Sequence, residues 1–154
     1  MRFAILSALF ALAAANPLPR SSSGCFTVSQ FRNSGSPHSI SASVSFSVKD
    51  AATALSASCF ASLSIQPSVV TTQFPTTCND TTVFFGVEYN PGVPGYYLTL
   101  AHVYNDNKTV DAGSVWLGSD IKRFDNPSGN PNGDYDYLNY PSDFTVGYNR
   151  HTQA

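Results

Sequence analysis

Charged side chains are scarce in this chain of 154 residues. They make up 12% of it, about half of the roughly 25% that is usual in a soluble domain. Lys and Arg number 8 against 10 Asp and Glu, and they form no basic run. Nucleic-acid binding needs a basic patch, and attraction to an anionic membrane needs a cluster of Lys and Arg. We therefore expect neither nucleic acid nor membrane as a partner.

The sequence also lacks the motifs of common hydrolases and metal sites. It has no Gly-x-Ser-x-Gly elbow and no His-Glu-x-x-His, and its 3 cysteines and 3 histidines do not show zinc-ligand spacing. Glu88 is its single glutamate, and a pair with His102 is the nearest approach to a general acid and base. We place a hydrolase centred on Glu88 and His102 last among the candidate functions. We expect no enzymatic activity, no cofactor and no metal site.

Long apolar runs are missing except at the start of the chain. Residues 3–15 carry no charge, follow an arginine and end in three alanines, which is the layout of a secretory signal peptide. The run is too short for a membrane-spanning helix, which takes about 20 residues. We expect residues 1–15 to be a signal peptide and residues 16–24 to be a disordered tail or a short pro-segment cut after Arg20. Residues 25–154 would then be one soluble, extracellular domain.

The cysteine count is odd, and in a secreted protein this leaves one thiol free or bridged to another chain. Cys59 and Cys78 bracket one proline-containing connection, and closing a loop of that length contributes about 3 kcal/mol in the chain-entropy model. We predict a disulfide between them. The alternative is that Cys25 pairs with one of the two. Cys25 lies at the N-terminal edge of the domain, which makes it a candidate for an interchain disulfide in a homodimer.

What the chain does contain is the pattern of β-structure. Apolar residues alternate with serine from Ser39 to Val48 and again from Leu55 to Ile65, as in half-buried strands. Further strands are expected at Phe26–Phe31, Val83–Tyr89, Tyr96–Tyr104, Val110–Ile121 and Phe144–Tyr148. Several short strands separated by turn signals, with no convincing helix, predict an all-β single domain: a compact antiparallel barrel or sandwich.

Two details of that sheet can be predicted. Gly, Ser and Pro between Arg32 and Pro37 favour a turn there. The segment Val83–Tyr89 is apolar on both faces, which is typical of a strand in the middle of a sheet.

Asn, Gly and Pro dominate from Asp125 to Asp136, and we predict a flexible loop at about 125–140. Tyr135, Tyr137 and Tyr140 fall within it. Tyrosine and asparagine on loops resemble the chemistry of antibody binding sites, so these tyrosines are binding candidates. The alternative is that they hold the loop against the barrel. The oxygen-bearing side chains of this loop do not follow the order of an EF-hand.

Two tripeptides match the N-glycosylation sequon. They are Asn79-Asp80-Thr81 and Asn107-Lys108-Thr109, and both fall in predicted turns. We regard Asn79 and Asn107 as candidate glycosylation sites.

A series of short segments carries a resemblance to a known family. The segments are Pro17-Leu18 after the signal peptide, Cys25 with a strand ending at Phe31, Val44–Val48, Ala57-Ser58-Cys59, Thr77-Cys78-Asn79, Val83-Phe84-Phe85 and Tyr97–Leu100. From Cys25 to Tyr104, the chain resembles the small secreted β-barrel proteins of filamentous fungi typified by the major allergen of Alternaria. That family includes plant-defence elicitors.

The resemblance implies a compact antiparallel barrel, a Cys59–Cys78 disulfide and a homodimer bridged through Cys25. It implies a non-catalytic allergen-like, effector or elicitor protein that binds a host extracellular protein or a small ligand. A carbohydrate-binding or cell-wall module that uses the loop tyrosines is the alternative. The chain lacks the family's second, C-terminal disulfide and has the Asn-, Gly- and Tyr-rich loop in that region.

Overall fold

The computed structural model describes residues 24–36, 41–64, 69–130 and 133–152, so the predicted signal peptide and all of the predicted tail except Gly24 lie outside the described residues. The strands are β1 (Gly24–Gly35), β2 (Ala42–Asp50), β3 (Leu55–Leu63), β4 (Thr76–Thr77), β5 (Val83–Asn90), β6 (Gly95–Tyr104), β7 (Thr109–Gly118), β8 (Ile121–Phe124), β9 (Tyr135–Leu138) and β10 (Phe144–Thr152). Within these ranges, no helix is long and apolar enough to cross a membrane.

The strands form one antiparallel sheet in the order β3-β2-β1-β10-β7-β6-β5-β4, and β8 and β9 extend it beside β1. The two ends of this order meet, because a disulfide joins Cys59 on β3 to Cys78 just after β4. Next to the disulfide, the backbone N–H of Asn79 donates to the Ser58 carbonyl at 2.9 Å. The backbone N–H of Ser58 donates in return to the side-chain Oδ1 of Asn79 at 2.7 Å. The sheet is thus nearly closed into a single-domain β-barrel. The predicted fold class and the predicted disulfide are both confirmed.

Alternation of apolar residues with serine sets the register of β2 and β3. These strands pair without a bulge from Ala42 opposite Leu63 to Asp50 opposite Leu55. In this register Phe46 lies opposite Cys59, and both side chains are buried inside the barrel. The serines point outward, because side chains on a strand alternate between the two faces. A slip by one residue would exchange the two faces, so the pattern specifies the register.

Aromatic and branched side chains from both distant and neighbouring strands fill the barrel. Phe46 on β2 and Phe85 on β5 meet edge to face with ring centroids 5.2 Å apart. Phe26 on β1 packs against Tyr148 on β10 at 4.7 Å. Each of these side chains is at most 3% exposed. Burial of large rings contributes most of the favourable free energy in a core of this kind.

Hydrogen bonds join residues 69–75, which precede β4, to β1 and β5. Asn33 on β1 is buried, and its side-chain amide donates to the Val70 carbonyl at 2.9 Å while its Oδ1 accepts from the Val70 N–H at 2.6 Å. The Thr72 N–H donates to the Val87 carbonyl at 2.8 Å, and the Val87 N–H donates to Thr72 Oγ1 at 2.9 Å. These bonds satisfy buried backbone groups that the ladder leaves unpaired.

One detail of the predicted sheet is wrong and another is confirmed. The turn expected from Arg32 onward is strand instead, because β1 continues to Gly35 through a bulge in which Gln30 has a φ of 57°. The segment β5 lies between β6 and β4 and is not at an edge of the sheet, as its two apolar faces predicted. Its outer face is apolar because Phe74 lies against Gly86 and packs with Phe84, which covers that face.

The predicted flexible loop is also shorter than expected. Tyr135–Leu138 forms β9, which pairs with β8 and with the last residues of β1. The connection between β8 and β9 is organised by Asn126, whose N–H donates to Asp134 Oδ1 at 2.7 Å and whose Oδ1 accepts from Ser128 N–H at 3.1 Å. Two of the three candidate tyrosines therefore belong to a strand, which positions them on the sheet.

We predict that Cys59→Ala lowers the free energy of unfolding by about 2–5 kcal/mol, the range seen when small domains lose a native disulfide. The reason is that the bond joins the two ends of the sheet order and closes a loop of sequence separation 19. Urea unfolding of wild type and variant measures the difference. Ser56→Ala, at an exposed serine on the same strand, is the matched control and should change stability little. Equal midpoints for Cys59→Ala and wild type would contradict the role assigned to the bond.

Candidate functional site

Glu88 and His102 do not form a pair. Glu88 lies opposite Tyr97 on the outer face, whereas His102 lies opposite Val83 and is 6% exposed inside the barrel. The two positions are also five residues apart along the ladder, or about 17 Å at the usual rise per residue. The structure separates the two groups that a hydrolase would need to bring together.

His102 instead belongs to a cluster of polar side chains at one end of the barrel. We call this cluster the polar end, and its members are Asp50, His102, Tyr104, Asp111, Tyr148 and Arg150. Sequence reasoning missed it, since these residues come from β2, β6, β7 and β10 and form no local motif.

Asp111 is the central acid of the polar end. Its carboxylate is fully buried and accepts from Arg150 Nε and Nη2, each at 2.8 Å. It also accepts from the Tyr104 hydroxyl at 3.0 Å. The bidentate hydrogen bond to Asp111 raises the pKa of Arg150 further above its usual range. A buried carboxylate needs such partners, because an unpaired one would be costly to desolvate.

Asp50 is the second buried acid, and it ties β2 to β10. It accepts from the Ala52 N–H at 2.9 Å, the Thr53 hydroxyl at 2.9 Å and the Tyr148 hydroxyl at 3.0 Å. Burial, together with the hydrogen bond to Asp50, raises the pKa of Tyr148 to about 12. Tyr148 therefore stays protonated and donates its hydroxyl hydrogen to Asp50. The carboxylate of Asp50 therefore has a structural role: it holds Ala52 and Thr53 after β2 and the Tyr148 hydroxyl on β10 in place.

His102 differs from its neighbours, because its buried Nδ1 has no hydrogen-bond partner among the described residues. Its ring stacks on Tyr104 with centroids 4.7 Å apart. Burial lowers the pKa of His102, and the carboxylates of Asp80, Asp111 and Asp50 oppose that shift. The imidazole is held mainly in its neutral form inside the barrel.

The candidate binding tyrosines divide into two groups. Tyr135 and Tyr137 lie half-buried on the outer face, and Tyr135 stacks on Phe124 with ring centroids 4.9 Å apart. The Arg32 guanidinium lies 5.1 Å from the centre of the Tyr135 ring. Phe60 on β3 is 61% exposed and lies on the same outer face. It is opposite Ser45 on β2, which in turn is opposite Arg32 on β1. We call Phe60, Arg32, Tyr135, Phe124 and Tyr137 the aromatic–arginine surface.

Tyr140 has a different role. Its ring packs edge to face against Phe144 at 4.9 Å and against Phe31 at 6.5 Å, and it contacts the main core. It holds the segment after β9 against the barrel, as the alternative interpretation of the tyrosines proposed.

A second outer surface was not anticipated from the sequence. Glu88, Tyr89, Asn90, Pro91, Tyr97, Thr99 and Ser114 line an open groove of about 310 Å³ on the outside of β5, β6 and β7. Trp116 lies opposite Tyr97 on β7 and is 52% exposed. The exposed position of the single tryptophan could have been suspected from its neighbours, since Ser114 and Trp116 alternate with the apolar Val115 and Leu117.

The remaining candidate residues lie at the surface. Cys25 is an exposed free thiol on β1, opposite Gly147 on β10. Asn79 and Asn107 are both exposed and lie in connections between strands. Across the described ranges, no group of three or more His, Cys, Asp and Glu side chains is arranged to hold a metal ion.

We predict that stability falls as the pH is lowered below about 6.5, with a slope of at most about 1.4 kcal/mol per pH unit from His102. In the unfolded chain histidine takes up a proton near pH 6.5, whereas the pKa of His102 is lowered in the folded protein. The unfolded state then binds more protons, so the free energy of unfolding decreases as the pH is lowered. Urea unfolding at pH 7.5, 6.5 and 5.5 measures this slope.

His102→Gln should flatten the slope, because it removes the buried titrating group. His151→Gln, at an exposed position on β10, is the matched control and should keep it. Identical slopes for wild type and His102→Gln would show that His102 does not govern the pH dependence.

The barrel is similar in structure to a protein of known fold. It matches the crystal structure of the Alternaria alternata major allergen Alt a 1 with a TM-score of 0.52, over 84% of this chain and 96% of that chain, at 13% sequence identity. No protein-family model and no curated protein matches the chain. The resemblance inferred from the sequence is thereby confirmed at the level of the fold: this chain shares the β-barrel architecture of Alt a 1.

Proposed function

We propose that the protein is a secreted, non-enzymatic effector- or elicitor-like protein of a fungus, and that it binds a host extracellular protein through the aromatic–arginine surface. The observation that carries this proposal is the row on the outer face that runs from exposed Phe60 through Ser45 to Arg32, and on to half-buried Tyr135 and exposed Phe124. The allergen-like fold is compatible with this role, and so is the Cys59–Cys78 disulfide, because disulfides persist outside the cell.

The chemistry of this surface favours a protein partner. Tyrosine, phenylalanine and arginine are enriched at the centres of protein interfaces and among their hot spots. Phe60 and Phe124 are 61% and 41% exposed, so their rings are available for burial against a partner. The stack of Phe124, Tyr135 and Arg32 fixes the rings before binding, which lowers the entropy cost of association. The outward serines of β2 between these residues make that part of the surface flat and uncharged.

We predict that the double variant Tyr135→Ser, Tyr137→Ser loses binding to the host partner, because it removes two of the rings at the centre of the surface. Wild type and variant, each immobilised, are compared for capture of proteins from plant apoplastic fluid, and the affinity for the captured protein is then measured. The melting temperature should change only slightly, since both side chains are half-buried on the outer face. Equal capture by wild type and variant would place the binding surface elsewhere.

The matched control is Tyr140→Ser. Its ring packs against Phe31 and Phe144, so this variant should lower the melting temperature. It should retain binding at temperatures where it remains folded. A loss of stability as large in the double variant as in Tyr140→Ser would instead assign Tyr135 and Tyr137 a structural role.

We predict that the secreted protein forms a homodimer through a Cys25–Cys25 disulfide. Cys25 is exposed and unpaired within the chain, and Gly147 opposite it leaves open space beside β1. Non-reducing electrophoresis should show a dimer band that disappears on reduction and in Cys25→Ser. A monomer band with one titratable thiol per chain would show that Cys25 is free.

A further inference from the structure

We propose that the groove on the outer face of β5, β6 and β7 is a binding site for a neutral oligosaccharide, with Tyr97, which lines the groove, and the adjacent Trp116 as its stacking platform. This site is separate from the aromatic–arginine surface and does not depend on it. The register of three strands, the position of the tryptophan and the charge of the groove support this assignment.

Register brings an acid and two aromatic rings into one row. Glu88 on β5 lies opposite Tyr97 on β6, and Tyr97 lies opposite Trp116 on β7. Adjacent strands are about 4.8 Å apart, so residues in such a row have neighbouring side chains on the same face. The row therefore presents one carboxylate and two aromatic side chains next to each other on the outside of the barrel.

The tryptophan is held in place and yet open to solvent. Its ring lies over Gly95 so closely that a Cβ at that position would overlap the indole. Despite this contact, Trp116 is 52% exposed. A large aromatic ring that is positioned by the backbone but left half uncovered loses little entropy when a ligand stacks on it.

The polar groups of the groove complement hydroxyl groups. Glu88 is exposed and supplies carboxylate oxygens that accept hydrogen bonds. Thr99 and Ser114 lie next to each other with their hydroxyl oxygens 2.9 Å apart, and each can donate or accept. Lys and Arg are missing from the residues that line the groove. The one charge is negative, which disfavours phosphates and other anions and favours a neutral ligand rich in hydroxyl donors.

An oligosaccharide has the chemical groups that this groove can bind. A pyranose ring offers a flat C–H face that packs on an aromatic ring, and hydroxyl groups around its edge that hydrogen bond to a carboxylate and to other hydroxyls. The volume of about 310 Å³ lies at the lower end of the roughly 300–1,000 Å³ of small-molecule sites. The groove is open on one side, so a chain of sugars can pass along it while one or two rings occupy it. β-Linked pyranose chains with equatorial substituents expose the C–H faces that could stack on Tyr97 and Trp116.

Trp116 is the single tryptophan of the chain, so tryptophan fluorescence reports on ligand binding beside this residue. The dimeric or monomeric protein as secreted is titrated with cellohexaose, chitohexaose and laminarihexaose while tryptophan fluorescence is recorded. We expect a saturable change in fluorescence with at least one of these neutral β-linked probes. A hexamer of galacturonic acid, which is anionic, should bind more weakly, because of the charge of Glu88.

Tyr97→Ala should weaken binding of the active probe by about tenfold, the effect expected when one stacking ring is removed. Tyr137→Ala, a half-buried tyrosine on the aromatic–arginine surface, is the matched control and should leave the dissociation constant unchanged. Isothermal titration calorimetry gives both values independently of fluorescence, and melting temperatures verify that each variant is folded.

Three results would overturn the proposal. One is the absence of a saturable response to all three neutral probes at millimolar concentration. Another is an unchanged dissociation constant in folded Tyr97→Ala. The third is an equal loss of affinity in Tyr97→Ala and Tyr137→Ala, which would mean that the probe does not bind at the groove.

Discussion

The disulfide between Cys59 and Cys78 is the contact on which the barrel depends. It joins β3 to the segment after β4, and these are the two ends of the sheet order. An open sheet exposes unpaired backbone groups along both edges, and such edges promote aggregation. Here the covalent bond and the two hydrogen bonds between Ser58 and Asn79 cover part of both edges at once. Because the two ends are fixed to each other, the strands between them enclose a single core.

The polar end shows how an enclosed core can contain charges. Asp50 and Asp111 are 3% and 0% exposed, yet each accepts hydrogen bonds that replace its lost water. Arg150 supplies the positive charge and lies closer to solvent than Asp111 does. Such networks specify which strands meet, since breaking one partner away leaves a buried charge unpaired. His102 is the one member with an unpartnered buried nitrogen among the described residues, and this makes the polar end sensitive to acid.

The two proposed binding surfaces lie on separate parts of the outer face of the barrel. The aromatic–arginine surface lies on β3, β2, β1, β9 and β8, whereas the groove lies on β5, β6 and β7, so different parts of the barrel carry them. The aromatic–arginine surface depends on β8 and β9, which the sequence pattern did not predict, whereas the groove lies on three predicted strands. Tyr135 and Tyr137 are presented by β9, which forms because it pairs with β8 and β1. Trp116 lies next to the groove because β7 pairs with β6 in a register that places it beside Tyr97.

The sequence by itself determined the β-class, the half-buried faces of β2 and β3 and the partner of Cys59, since period-two alternation and a short connection are local properties of the chain. Only the tertiary structure decided that β1 continues to Gly35 and that Asp50 meets Tyr148, 98 residues away. It also decided that Glu88 and His102 lie on opposite faces. The physical reason is that strand order and barrel closure arise from pairing between distant segments. Local propensity sets which face a side chain takes on its own strand, but not which strand will lie beside it.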